Sequence, residues 1–117
     1  MRKLLFASVL LTFSVVFSAV VLAADVSVTG HLRDSFCFLT MGAQGPSHHN
    51  CAVKCAKVGI PVLLVQNNTN KYYVLMPPKN AQALPDDITS KMEQEVTVTG
   101  HEYTKGGTIF LTVESVK

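Results

Sequence analysis

The chain has no tryptophan and only six phenylalanines and three tyrosines among its 117 residues. That leaves little aromatic surface for stacking bases or filling a large core. Charge is scarce as well, with ten lysines and arginines against eight acidic residues. Arg2 and Lys3 stand at the extreme N-terminus, and without them eight basic residues face eight acidic ones. A neutral remainder with no basic patch excludes nucleic acid and gives no pull toward an anionic membrane surface. There is no Cys-x-x-Cys, which counts against a thioredoxin-like oxidoreductase. There is also no Cys-x-x-Cys-His, which excludes covalent haem attachment through that motif. Three cysteines form an odd set, so any single bridge leaves one thiol over. Hydrolytic catalysis has little support: His31, Asp34 and Ser35 are close in sequence, but a strand sends neighbours to alternate faces. The expectation is a protein that is not an enzyme.

Met1-Arg2-Lys3 is a short basic start, and the run from Leu4 to Leu22 is apolar apart from Ser8, Thr12, Ser14 and Ser18. Val21-Leu22-Ala23 and Leu22-Ala23-Ala24 both fit the small-x-small rule of signal peptidase. Residues 1–24 therefore read as a signal peptide cleaved after Ala23 or Ala24, giving a periplasmic or secreted protein of a bacterial-type cell. The run approaches the roughly 20 residues needed to span a bilayer, so an uncleaved anchor is the alternative, and the one route to membrane attachment. No cysteine stands immediately after the cleavage site, which argues against a lipoprotein. Residues 25–117 are enough for one small domain and not for two. A core of that size is thin, and a metal or covalent cross-link would help it.

Val26 to Arg33 alternates apolar and polar residues and predicts a strand, which Asp34 to Leu39 continues or bends away from, carrying Cys37. Ile60 to Gln66 is a continuous apolar run suited to a buried strand. Asn67 to Asn70 is a turn, and Lys71 to Met76 returns antiparallel. Helical turns are expected at Lys79–Leu84 and Asp86–Met92. Glu93 to Tyr103 and Thr108 to Val116 are the last two strands, turned at Lys105-Gly106-Gly107. Val26-Ser27-Val28-Thr29-Gly30-His31 is echoed by Val96-Thr97-Val98-Thr99-Gly100-His101. The echo suggests two similarly placed strands that kink at glycine, as small closed barrels require. The fold class is mainly β with one inserted helix: a small five-stranded OB-like barrel, or alternatively an open antiparallel sheet with the helix packed on one face.

The inserted helix, at about 48–58, is the most informative stretch. Ser47 is a good N-cap, Gly59 supplies a left-handed exit and Pro61 prevents continuation. At about 100° per residue, His48, Cys51 and Cys55 fall within roughly 60° of one another, on a stripe expected to face the protein. His49 points about 100° from His48.

Gly30-His31-Leu32-Arg33-Asp34-Ser35-Phe36-Cys37, then His48-His49-Asn50-Cys51-Ala52-Val53-Lys54-Cys55, then Gly59-Ile60-Pro61 resemble a group of small exported bacterial proteins. In these, a Gly-x-x-x-Asp-x-x-Cys strand precedes a His-x-x-Cys-Ala-x-x-Cys helix and a Gly-x-Pro exit. The match covers roughly residues 26–66. The resemblance implies export and a Cys/His site, with His48 as the motif histidine and His49 one place out of step. It supplies no reaction.

Cys37, His48, Cys51 and Cys55 together make a Cys₃His set, suited to tetrahedral zinc, while thiolate-rich sites also favour Cu(I). A metal-binding or metal-handling protein is the first expectation. The second is a structural disulfide from Cys37 to Cys51 or Cys55, in a stapled interaction domain whose protein partner is unknown. A Cys51–Cys55 bridge is disfavoured, because residues four apart on a helix hold their Cβ atoms about 5–6 Å apart, beyond disulfide reach. Thiol redox or haem handling is the third. Met41 and Met76 are soft enough for copper but read as core, and His31 and His101 read as ordinary exposed residues.

Overall fold

The computed structural model describes residues 24–117, so the expected signal segment up to Ala23 lies outside the described residues. Strand β1 (Ala24–Asp34) is followed by helix α1 (Ser35–Met41), a 3₁₀ turn (Pro46–His48) and helix α2 (His49–Lys57). Then come β2 (Val62–Gln66), β3 (Tyr72–Met76), a one-turn helix α3 (Asp86–Thr89), β4 (Glu95–Lys105), β5 (Thr108–Thr112) and a two-residue β6 (Ser115–Val116).

The strands follow the order β1-β2-β3-β5-β4, and β4 pairs back onto β1. That last pairing closes the sheet and rules out the open alternative. All neighbours are antiparallel except β3 and β5. The result is an OB-like five-stranded barrel, with β6 added along β4.

The repeated Val-x-Val-Thr-Gly-His segments pair with each other. Val28 sits opposite Val98, Gly30 opposite Val96 and Val26 opposite Gly100. Hydroxyls run along the outside of the seam, Ser27 to Thr99 at 3.0 Å and Thr29 to Thr97 at 2.7 Å. Each glycine also lets a third backbone approach. A Cβ at Gly30 would overlap the Val65 carbonyl, and one at Gly100 would overlap the Thr112 carbonyl. β1 can therefore pair with β4 along one edge and with β2 along the other, which a side chain at Gly30 would block.

The buried cluster joins Val28, Leu32, Val62, Leu64, Tyr73, Leu75, Val96, Val98, Leu111 and Val113 from the barrel with Ala52 and Ala56 of α2, Ile88 of α3 and Met92. α2 thus closes over the core on small side chains. Its C-terminus ends as expected. Gly59 is left-handed (φ 96°), its N–H donates to the Ala56 carbonyl, and the Ile60 N–H donates to Cys55. The hairpin turn Gly106-Gly107 has both residues at positive φ, as a two-residue type I′ turn requires.

Five expectations need correction. Cys37 is not on a strand: Asp34 ends β1 and caps α1, so Cys37 is helical. Ser47 caps nothing, because the chain enters α2 through a 3₁₀ turn, with His48 as the flanking residue. That turn also upsets the angular counting from His48, since a 3₁₀ turn advances about 120° per residue. The face of α2 that is buried is Ala52 and Ala56, while Cys51 is exposed and Cys55 half-buried. Lys79–Leu84 forms no helix, and Ala81 there is left-handed. The last strand breaks at Val113-Glu114, where the Val113 N–H turns to the Met76 carbonyl and the Glu114 N–H to Thr99.

Candidate metal centre

The alternation of β1 sends Val28, Gly30, Leu32 and Asp34 to the buried side. Asp34 is the last of this series and is wholly buried, so its carboxylate must find partners. One oxygen accepts the Cys37 N–H at 2.8 Å and caps α1. The other meets His48 Nε2 at 2.7 Å. The cap fixes the first turn of α1 and turns Cys37 inward, where it is buried.

From the other side α2 brings Cys51 and Cys55. The Sγ atoms of Cys37, Cys51 and Cys55 lie within 4.8 Å of one another. A second set, Asp34, Cys37 and His48, satisfies the same limit and shares Cys37. All four residues expected at the site are therefore brought together, and Cys37 is the common member. All three thiols are free.

The electrostatics hold the two less accessible thiols, Cys37 and Cys55, toward the protonated form. Burial pushes the Cys37 thiol up to about 12, aided by its hydrogen bond to Asp34, the Asp34 charge and the two neighbouring thiols. Burial also raises Cys55, again with help from Asp34 and Cys51. For Asp34 the desolvation works upward too, but the Cys37 N–H, His48 and the Cys37 thiol outweigh it and hold the carboxyl below its usual value. The site thus sets an anionic carboxylate beside two thiols, of Cys37 and Cys55, that burial holds toward the protonated form. A soft cation that exchanges for thiol protons is what such a set can accommodate.

Two residues outside the expected set support it. Glu93 is buried, forms an ion pair with Arg33 and accepts the Gly45 N–H at 2.8 Å, tying down the chain just before Pro46–His48. His49 is turned away from the thiols, and its Nδ1 meets the Met92 carbonyl at 2.6 Å. Sequence reasoning missed the role of Asp34, although carrying the β1 alternation one step further points to it. Nothing in the local sequence marks Glu93, since its partners come from β1 and the loop before α2.

His31 meets Asn67 Oδ1 at 3.2 Å, and His101 lies between Asp25 and Glu114, so neither belongs to the thiol cluster. Met41, expected to pack in the core, is instead exposed on α1. No helix among the described residues is long and apolar enough to cross a membrane. No family model, curated protein or solved structure matches the chain.

Proposed function

We propose that this is an exported, non-enzymatic metal-binding or metal-handling protein, whose ion is zinc or copper. Cys37, Cys51 and Cys55 are the thiolate ligands, with His48 the nearest imidazole. One observation carries the reading: three thiols from two separate helices converge within 4.8 Å. Sulfur ligands about 2.3 Å from one ion lie about 4 Å apart, so little movement is needed to close around it. Export rests on the signal-like segment and on the resemblance to small exported proteins. Metal binding would tie α1 to α2 and add stability to a thin core.

The same proximity favours a second reading, a disulfide from Cys37 to Cys51 or Cys55 formed by oxidants outside the cytoplasm. Thiol redox catalysis fits less well, because a nucleophilic cysteine needs a lowered pKa and both Cys37 and Cys55 are raised. The deciding experiment is metal content together with a thiol count on denatured, unreduced protein. Three thiols with a stoichiometric ion support the metal site. One thiol and no ion would establish the staple and end the metal reading.

A further inference from the structure

The thiol cluster is not evenly accessible. Cys37 is buried, Cys55 half-buried and Cys51 exposed, so the set has a closed side and an open edge. Its donor chemistry is uneven as well. The three sulfurs form one group, while the imidazole belongs to the other, with Nε2 held 2.7 Å from a wholly buried carboxylate. Recruiting that nitrogen as a fourth ligand would strip Asp34 of one partner and leave the charge less compensated in the interior. Recruiting one oxygen of Asp34 would compete either with its hydrogen bond from the Cys37 N–H, on Oδ1, or with its contact to His48, on Oδ2. The sulfurs cost Asp34 less: only the hydrogen bond from the Cys37 thiol is given up, and the carboxylate keeps both the Cys37 N–H and His48.

Resting on the metal reading above, we infer that the site takes Cu(I) as a three-thiolate complex, with His48 outside the coordination sphere, and releases it by ligand exchange at Cys51. Zinc favours four ligands and would have to complete its sphere from water or from the engaged imidazole. Cu(I) is soft, is selected by thiolates, and is satisfied by three of them. On loading, three S–H bonds break, three Cu–S bonds form and three protons leave. On release, the thiolate of an incoming thiol forms a new Cu–S bond at the open edge as the Cu–Sγ bond of Cys51 breaks, and further incoming thiolates then replace Cys55 and Cys37 in the same way. Each freed cysteine thiolate takes up, through solvent, the proton that an incoming thiol gave up, and copper stays monovalent throughout. His48 is then a positioning residue: it holds Asp34, and Asp34 holds the turn that carries Cys37.

The test is to load the reduced protein anaerobically with Cu(I) and Zn(II) offered together. Metal content, the copper coordination shell by X-ray absorption, and transfer to glutathione are then followed. His48→Gln keeps a side-chain donor for Asp34 but removes the imidazole, and Cys51→Ser alters an exposed residue that the fold does not need. The expected result is one Cu(I) per chain with a shell of three sulfurs and no nitrogen, unchanged in His48→Gln. Cys51→Ser should retain Cu(I) on two sulfurs and surrender it to glutathione at least tenfold faster. A nitrogen in the shell that disappears in His48→Gln, or an unchanged transfer rate in Cys51→Ser, would overturn the inference. Preferential loading with zinc would overturn it too, yet leave the broader metal reading standing. Failure to bind either ion would remove both.

Discussion

Asp34 and His48, fourteen residues apart, meet through a 2.7 Å contact between Oδ2 and Nε2. The pair links the inward end of β1 to the last residue before α2, so the two elements that carry the cysteines share one buried carboxylate. Two of its functions can be separated by substitution. Asp34→Asn keeps an acceptor for the Cys37 N–H and so keeps the cap, while Asp34→Ala loses it. Asp34→Ala should cost about 3 kcal/mol, combining a lost cap with a lost charge-assisted hydrogen bond, and Asp34→Asn about 1 kcal/mol. Urea denaturation of the reduced, metal-free variants measures both. Removing the charge should also bring the Cys37 thiol down, read as faster alkylation of Cys37 at mildly alkaline pH in Asp34→Asn.

The raised thiols set the alkaline limit of the metal-free protein. Cys37 titrates at about 12 in the fold against an ordinary value near 9, and Cys55 is shifted the same way. The folded state therefore holds its protons more tightly than the unfolded chain. The associated stability is complete below about pH 9 and declines as pH rises toward 12. Asp34 has the opposite sign. Its pKa is lowered on folding, so its contribution is present above the ordinary carboxyl value near 4 and lost as pH falls below it. Urea midpoints measured across pH should fall at both ends. With the ion bound, the thiolates no longer need protons and the alkaline decline should be abolished.

Much of the barrel was legible because its signals are local. Alternation placed β1 and β4, the Gly106-Gly107 pair placed the final hairpin, and the echoed segments marked the two strands that meet at a glycine-bearing seam. The site was legible as a set of residues, because Cys37, His48, Cys51 and Cys55 do converge. Their orientation was not. Helical projection assumes one uninterrupted α-helix, and the 3₁₀ turn at Pro46–His48 breaks that assumption. The projection also ranks cysteine as the inward residue, whereas the close approach of α2 to the barrel selects Ala52 and Ala56. Glu93 was out of reach for another reason, whereas the alternation of β1 does point to the burial of Asp34. A buried charge is identified by its partners, and those of Glu93, Arg33 and Gly45, are distant in sequence.

The alanine face makes a prediction of its own. Ala52 is completely buried where α2 meets the core, so no space exists for a larger side chain without moving the helix. Ala52→Leu should destabilise the protein by about 1–3 kcal/mol through overpacking. Because Cys51 and Cys55 ride on the same helix, displacement of α2 should also spread the sulfurs. Metal affinity should drop in Ala52→Leu at a temperature where the protein is still folded. The contrasting change Lys54→Ala, on the exposed side of α2, should leave affinity unaltered.

The Arg33–Glu93 pair supports the site from beneath, and its burial determines what its loss will do. The Glu93 side chain is 1% exposed and that of Arg33 11%, so neither charge is well solvated alone. Glu93→Ala should cost about 3–5 kcal/mol, mostly because Arg33 is left as an uncompensated charge. The Gly45 N–H loses its acceptor in the same variant, and the entry to the 3₁₀ turn loosens. If the unpaired charge dominates, adding Arg33→Met to Glu93→Ala should recover at least half of the stability, since replacing both partners removes the desolvated charge. Metal retention should recover less than stability, because the tether on Gly45 stays broken. A double-mutant cycle by urea denaturation, with metal content measured on the same four proteins, separates the two effects. Recovery of both properties in parallel would show that Glu93 serves the site only through global stability.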